Sequence, residues 1–393
     1  MSPRKLPPVV IAIGLVSCLN DLASEMVTPL LPLLLAGSAN NVALSLGLIE
    51  GVAEALSAFL KLWAGRRSDA AGGKRKPFAI AGYAMSNMVR PLMALASGWG
   101  MLLLLRSVDR IGKGIRSAPR DAMLADATDE TNRGVAFGFH RAMDNAGAVG
   151  GALLAAAVLA SGQFSLPAVI ALSALPGAMA LAVLALAVKD VPRFPRRKAN
   201  SPPITFSGLA PACRGLIALI GLMTLARVAE TFVILRAHDL GASSLTCLLL
   251  WALFNFTKAL AAIVGGRFAD RFGNLQTLQL SWLLYVVGFI SLGLTESLPV
   301  WWLVAALYGL VCGFGEGVER SALCETAQAE QLGTAFGWFY LVMGLVSIPA
   351  GLGFGWLWQV FGANLAFGIA TLVATLASTL LFIWRLRTPI GAH

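Results

Sequence analysis

Charged residues are scarce in this sequence. Only 13% of its 393 residues are charged, whereas 57% are hydrophobic and the mean hydropathy is +0.75. A soluble globular domain has roughly 25% charged residues, so the composition excludes an ordinary soluble protein. Apolar stretches of about twenty residues, the length that crosses a bilayer core, recur from Val9 to Trp384. We therefore predict an integral membrane protein.

Cysteine and histidine are also scarce. The five cysteines show no Cys-x-x-Cys spacing and the three histidines are scattered, so we predict neither a disulfide nor a metal site. The sequence contains no Gly-x-x-x-x-Gly-Lys-Ser/Thr loop and no Gly-x-Ser-x-Gly motif, which argues against an ATP-driven pump and against an enzyme. No bound cofactor is expected.

The basic residues, which give a formal charge of +10, are absent from alternate loops. Lys and Arg cluster in three loops, at 66–76, 189–198 and 267–271. Four other loops contain neither residue: 38–43, 97–99, 161–165 and 295–299. This asymmetry is the positive-inside pattern. It predicts a multi-pass inner-membrane protein with both termini and the basic loops in the cytoplasm, and it argues against nucleic-acid binding.

Twelve apolar spans are predicted as helices, because a backbone inside a bilayer must satisfy its own hydrogen bonds. The first span is too long for a signal peptide, and we expect it to be retained. A basic, proline-rich linker at 189–207 separates an N-terminal half, 1–188, from a C-terminal half, 208–393. The spans are numbered helices 1 to 12: 8–36, 44–65, 78–97, 100–123, 134–159, 166–188, 212–236, 244–266, 276–294, 300–325, 333–361 and 363–385.

The two halves repeat short motifs in the same order. Three pairs of segments match: Gly65–Gly72 with Gly266–Gly273, Gly112–Gly114 with Gly315–Gly317, and Arg133–Gly138 with Leu332–Gly337. Ordered matches of this kind indicate an internal duplication into two six-helix halves related by an axis along the membrane normal.

The loop after helix 2 resembles the signature G-x-x-x-D-R/K-x-G-R-R/K of the major facilitator superfamily. Gly65, Asp69 and Gly72 occupy motif positions, although Ala70 stands where a basic residue is usual and Gly73 is an extra residue. The copy after helix 8 fits better, with Gly266, Asp270, Arg271 and Gly273. The segment from Arg110 to Ala118 in helix 4 resembles a second family motif.

The resemblance covers nearly the whole chain. It implies an all-α membrane fold of twelve helices in two halves, with a central cavity lined by helices 1, 4, 7 and 10. It also implies that the two loop copies act as a cytoplasmic latch. We expect a monomer surrounded by the lipid bilayer.

Two further segments bear on the subgroup. Asn20-Asp21-Leu-Ala-Ser24-Glu25-Met26 resembles a bacterial subgroup of permeases and efflux proteins. Gly147-Ala-Val-Gly150-Gly151 in helix 5 resembles the glycine-rich antiporter motif without its Gly-Pro step. Close helix packing explains these glycines equally well, so import and export both stay open.

Charged residues inside membrane spans are costly and mark functional sites by default. Helix 4 carries a stripe within roughly a third of its circumference: Arg106, Asp109, Arg110, Lys113, Arg116 and Arg120. We expect Asp21, Glu25 and Glu230 to carry a coupling proton. The predicted substrate cavity contains Arg106, Arg110, Lys113, Arg227, Glu316 and Glu319, and Arg120 with Asp121 is the expected gate pair.

The alternative is that these charges neutralise one another as salt bridges between helices. We expect this above all for Asp109 with a neighbouring arginine and for Glu319 with Arg320. A channel or receptor remains compatible with hydropathy, but neither requires the repeated loop.

A transporter driven by a transmembrane proton or ion gradient is the leading hypothesis. Arg and Lys in a cavity select anions, which favours proton-coupled efflux of an anionic or zwitterionic small molecule. Proton-coupled uptake of an organic anion and a cationic multidrug/proton antiporter are the alternatives.

Overall fold

A computed structural model describes residues 6–37, 40–70, 74–128, 133–188, 205–328 and 332–387, and these residues are almost entirely helical. The linker from 189 to 204 lies outside them. Within the described ranges the helices are Pro8–Glu25 with Leu31–Ala36 (helix 1), Val42–Ala70 (2), Lys76–Leu92 (3), Trp99–Asp126 (4), Arg133–Ala160 (5), Leu166–Leu172 with Ala174–Ala187 (6), Pro211–Ala226 with Thr231–Asp239 (7), Ser244–Phe272 (8), Asn274–Leu294 (9), Leu298–Phe314 with Val318–Thr326 (10), Leu332–Phe361 (11) and Ala363–Arg387 (12).

Ten of the helices in the described ranges are long and apolar enough to cross a membrane by length and composition alone. Helix 3 is too short by that criterion, with 17 residues before a 3-10 turn at Met93–Leu95. Helix 4 is too rich in charge, but Arg106, Asp109 and Arg116 on it are buried in protein. The described chain is thus an all-helical membrane protein.

The sequence predicted continuous spans, whereas helices 1, 6, 7 and 10 are interrupted. Helix 1 stops at Glu25, because Pro29 has no backbone N–H to donate to the Glu25 carbonyl. Helix 10 stops at Phe314 and resumes at Val318 through Gly317, whose φ of 90° favours glycine. Hydropathy averaged over a span does not detect such breaks, because it carries no information about backbone angles.

The chain forms two compact units. The first contains helices 1 and 3–6, helix 2 from Leu56 onward, and helix 8 from Ser244 to Ala252. The second contains helix 2 up to Ala55, helix 7, helix 8 from Leu253 onward, and helices 9–12. Helices 2 and 8 therefore each contribute to both units.

Close contact between helices 1 and 5 fixes the position of helix 1 in the first unit. A Cβ atom added to Gly147 would lie 2.2 Å from the carbonyl oxygen of Cys18, and one added to Gly151 would lie 2.3 Å from that of Leu22. Gly150, in the same motif, has only the Leu22 side chain at 3.9 Å. Two of the three glycines are thus required for the approach that holds helix 1 in place.

We expect Gly147→Ala to destabilise the protein by about 1–3 kcal/mol, because the added methyl group meets backbone that cannot rotate away. Gly150→Ala is the matched control and should be tolerated, since its methyl group meets only ordinary van der Waals contact. Thermal denaturation of the purified protein in detergent measures both. Equal losses in the two variants would contradict the close approach at Gly147.

Candidate functional site

Helix 1 places two acidic residues one turn apart in the first unit. Asp21 accepts a hydrogen bond from the Asn20 amide at 3.0 Å, and Glu25 accepts one from the Trp251 indole N–H at 2.7 Å. Both side chains are partly exposed, and neither makes an ion pair with any residue that the structure describes. Two carboxyl groups in a membrane span therefore have neutral partners.

Trp251 is a contact that sequence reasoning did not find. It lies in the part of helix 8 that belongs to the first unit, and its side chain is buried. A tryptophan in an apolar span carries no signal of its own, because its partner is 226 residues away. Its N–H can donate but cannot accept, so it orients the Glu25 carboxyl group without adding charge.

A buried polar network joins helices 1, 3 and 4. The Arg90 guanidinium donates from Nε to Asp109 Oδ1 at 2.9 Å, and from Nη1 to the side-chain oxygens of Asn20 at 3.1 Å and Asn87 at 3.0 Å. Arg106 lies 3.5 Å from the second Asp109 oxygen. Arg90, Arg106 and Asp109 are each at most 2% exposed. The expected salt bridge of Asp109 with a neighbouring arginine is therefore present, and it ties helices together.

The stripe on helix 4 divides into buried and accessible residues. Arg116 packs against helix 3, where its guanidinium lies 4.7 Å from the Tyr83 ring and donates to Ser86 at 2.7 Å. Arg110 and Lys113 are only partly buried. Arg120 is partly exposed as well, whereas Arg106 is enclosed in the network of Asp109.

The predicted gate pair lies nearer the end of helix 4. Arg120 donates to the Asp121 carboxylate from Nε at 3.0 Å and from Nη2 at 2.8 Å. Asp121 is about half exposed, whereas the Arg120 side chain is 19% exposed and also reaches Ser17 of helix 1 at 3.4 Å. The pair thus links helix 4 to helix 1.

In the second unit, Arg227 and Glu319 meet at two helix interruptions. Arg227 directly follows the first part of helix 7 and has an extended backbone, and Glu319 lies in the first turn of the second part of helix 10. Both terminal nitrogens of Arg227 donate to the Glu319 carboxylate. Glu319 does not pair with Arg320 as expected, because Arg320 lies on the exposed side of helix 10.

Glu230, at the other end of the break in helix 7, pairs with Lys258. Lys258 Nζ of helix 8 donates to Glu230 Oε1 at 2.5 Å, and both side chains are partly exposed. Glu316 lies between the two parts of helix 10 and is half-buried. Irregular backbone at membrane depth is tolerated only inside protein or beside water, so these breaks and their charged residues form a candidate functional region within the second unit.

The residues of the loop signature have varied surroundings. A Cβ on Gly65 would lie 3.3 Å from the Ala118 side chain, and Gly273 has a φ of 92° before helix 9. Gly266, Asp270 and Arg271 are exposed, and the close approach to helix 10 is made by Gly265. The Asp69 side chain and Gly72 lie outside the described residues.

The described residues form an all-helical membrane fold with ion pairs at interrupted spans. The chain belongs to the Major Facilitator Superfamily, whose family model matches residues 13–235 and again 215–393. It is therefore a multi-pass transporter of small molecules and not an enzyme.

Its similarity to individual proteins extends over nearly the whole chain. An uncharacterised MFS-type transporter of Methanocaldococcus jannaschii is 32% identical over 386 residues, covering 96% of this chain and 95% of the relative. Among solved structures, the human organic anion transporter MFSD10 has a TM-score of 0.68 at 20% identity, covering 95% of this chain and 99% of that one. A D-xylose–proton symporter has a TM-score of 0.76 at 14% identity, covering 96% and 97%. At these identities the structures share the fold alone.

We expect Glu319→Gln to destabilise the protein by about 3 kcal/mol, the low end for a broken buried ion pair, because Arg227 keeps some access to solvent. Arg320→Gln is the matched control and should have little effect. Chemical or thermal denaturation in detergent measures both. A double variant, Arg227→Met with Glu319→Met, should recover most of the loss, and the pairing is wrong if it proves less stable than Glu319→Gln alone.

Proposed function

We propose that this transporter exports an anionic or zwitterionic organic solute across the cytoplasmic membrane in exchange for protons. The carrying observation is that Asp21 and Glu25, inside a membrane span, have hydrogen-bond partners that are neutral. A carboxylate without a cationic partner is costly in the membrane interior, whereas its protonated form is neutral. Such a group is suited to bind a proton on one side and release it on the other.

The same two acids distinguish helix 1 from the second unit. There Glu319 is held by Arg227 and Glu230 by Lys258, so each acid already has a cation. While Glu230 is paired with Lys258, its carboxyl group is ionised. It could take up and release a proton only in a state in which the pair is separated. We therefore assign proton binding first to Asp21 and Glu25, and the ion pairs of the second unit to solute binding and to conformational change.

The proposed sign of the solute comes from helix 4. Of its partly exposed basic residues, Arg120 pairs with Asp121, whereas Arg110 and Lys113 lie one turn apart on the same face. A carboxylate or phosphate on the solute makes charge-assisted hydrogen bonds with such groups. Nearby acids on helix 1 suit an amino group, which is why a zwitterion fits as well as an anion.

A second candidate function follows from the same acids. Asp21 and Glu25 can bind a lipophilic cation directly, which would make the protein a multidrug/proton antiporter in which the charges of helix 4 serve packing. The direction of transport is assigned from the resemblance of the Asn20–Met26 segment to efflux proteins, and uptake of an organic anion is the alternative. No cofactor enters either scheme, since the ion gradient supplies the energy.

The latch and gate are part of the proposal. We assign Arg120 and Asp121 to a gate near the end of helix 4, where Arg120 also contacts helix 1. The loop signatures at Gly65–Gly72 and Gly266–Gly273 are assigned to the latch. Both termini are placed in the cytoplasm, in keeping with the basic loops, and the protein is taken to act as a monomer.

Proton coupling is tested with Asp21→Asn and Glu25→Gln in proteoliposomes. We expect either change to abolish accumulation driven by a proton gradient and to leave solute exchange partly intact, because the neutral side chains cannot cycle a proton. Proton flux is followed while anionic, zwitterionic and cationic compounds are added. Glu296→Gln, at an exposed acid after helix 9, is the control. Accumulation at the wild-type rate in both variants would remove helix 1 from the coupling mechanism.

The sign of the solute is tested at Arg110. Arg110→Ala should weaken binding of a carboxylated or phosphorylated solute by about 1.5–3 kcal/mol, roughly a 10- to 150-fold rise in Kd. Arg110→Lys should restore only part of it, because the planar guanidinium fork is lost. Arg320→Ala, at an exposed position, is the control. Proton-driven transport of a lipophilic cation that is insensitive to Arg110→Ala would instead support the multidrug antiporter.

A further inference from the structure

A second group of titratable residues is buried where helix 5 meets helices 1 and 4 in the first unit. His140 Nε2 lies 2.7 Å from Ser17 Oγ, and His140 Nδ1 lies 3.5 Å from Asp144 Oδ2, one turn along helix 5. Ser17 is fully buried, His140 is 4% exposed and Asp144 is 9% exposed. His140 and Asp144 have no part in the mechanism proposed above, and Ser17 enters it only as the contact of Arg120.

The hydrogen bonds of this group have a defined direction. The Arg120 guanidinium, which can only donate, reaches Ser17 Oγ from Nη1 at 3.4 Å. The Ser17 hydroxyl hydrogen is therefore available to His140 Nε2, which is closer than Tyr83 Oη at 3.4 Å. With Nε2 accepting, a neutral imidazole has its proton on Nδ1, which faces Asp144.

This chain of hydrogen bonds ends at Asp144 Oδ2. Asp144 Oδ1 is buried and has no hydrogen-bond partner among the residues that the structure describes. Buried polar atoms are normally satisfied, and an exception points to a missing ligand or ion. A proton bound at Oδ1 converts the carboxylate into a neutral acid, which a membrane interior tolerates far better.

Charges of both signs surround the group. The titratable and charged side chains that act on it are Cys18 and Asp21 of helix 1, Tyr83 of helix 3, Arg120 and Asp121 of helix 4, and Arg141 of helix 5. Two carboxyl groups are matched by two guanidinium groups. With Asp144 ionised, the carboxylates of the group exceed the guanidinium groups by one. A proton on Asp144 makes the two signs equal, and its release restores the excess negative charge.

We propose that Asp144 and His140, ordered by Ser17, form a proton-binding site beside Asp21 through which the coupled proton passes. A proton that leaves the Asp21 carboxyl group restores that carboxylate and makes Asp144 a neutral acid, and Asp144 then gives the proton to water. The site extends the row of acids from Glu25 through Asp21 toward the Arg120–Asp121 pair. The transport step rests on the proton coupling proposed above.

The proton-binding part is tested without any solute. Infrared spectra of the full-length protein in lipid vesicles, recorded across a pH series, should show the C=O absorption of buried protonated carboxylic acids. The difference spectrum between wild type and Asp144→Asn should contain one such band, separate from the bands that Asp21→Asn and Glu25→Gln remove. His140→Gln should keep that band but move its half-maximal pH by about one unit or more. A side chain that only fills space would leave the absorption unchanged, so a difference spectrum of Asp144→Asn without a C=O band overturns the site.

The controls use the other His–Asp contact of the described residues. His238 Nδ1 lies 3.9 Å from Asp239 Oδ1 at the end of helix 7, with both side chains about 40% exposed, and His238→Gln and Asp239→Asn should leave the band unchanged.

The role in transport has its own readout. Asp144→Asn should lose proton-driven accumulation and keep solute exchange, and wild-type accumulation in this variant overturns that role. If the wild type itself moves solute without protons, the proposed function fails, while the infrared result still decides whether Asp144 binds one.

Discussion

The organisation of this protein depends on the cost of holding charge in a membrane interior. A charged side chain there must pair with an opposite charge, contact water or lose its charge. Arg90 and Asp109 show the first solution, since both are almost completely buried and are 2.9 Å apart. Because Arg90 also bonds to Asn20, the pair fixes helices 3 and 4 against helix 1. Removing one member would leave the other buried without its charge partner.

The second unit meets the same constraint at interrupted helices. Arg227 lies where helix 7 loses its regular backbone, and Glu319 lies just after the break in helix 10. Each break frees backbone groups that an apolar environment would not tolerate. Concentrating the breaks and the ion pairs in one region lets that region be polar while the rest of the helix surfaces remains apolar.

The acids of the first unit follow a different rule. Asp21 and Glu25 have an amide and an indole as hydrogen-bond partners, and Asp144 has a histidine. Neutral donors orient a carboxyl group but stabilise its ionised form less than a cation does. Ion pairs and carboxyl groups with neutral partners thus occupy neighbouring positions on the same helices, and the identity of the partner separates them. Trp251 shows how much depends on a single contact, because it comes from helix 8, far along the chain.

Sequence alone determined the membrane class, the approximate helix spans and the pairing of Asp109 with an arginine, because hydropathy and the cost of buried charge are properties of composition and position. The two acids one turn apart on helix 1 are likewise visible in the sequence. It did not reveal the breaks in helices 7 and 10, the partner of Glu319 or the contact of Trp251 with Glu25. Those depend on which helix faces which and on backbone angles such as that of Gly317. Only the tertiary structure brings such distant residues within hydrogen-bond distance, and that distance decides whether a buried charge is fixed or free to change.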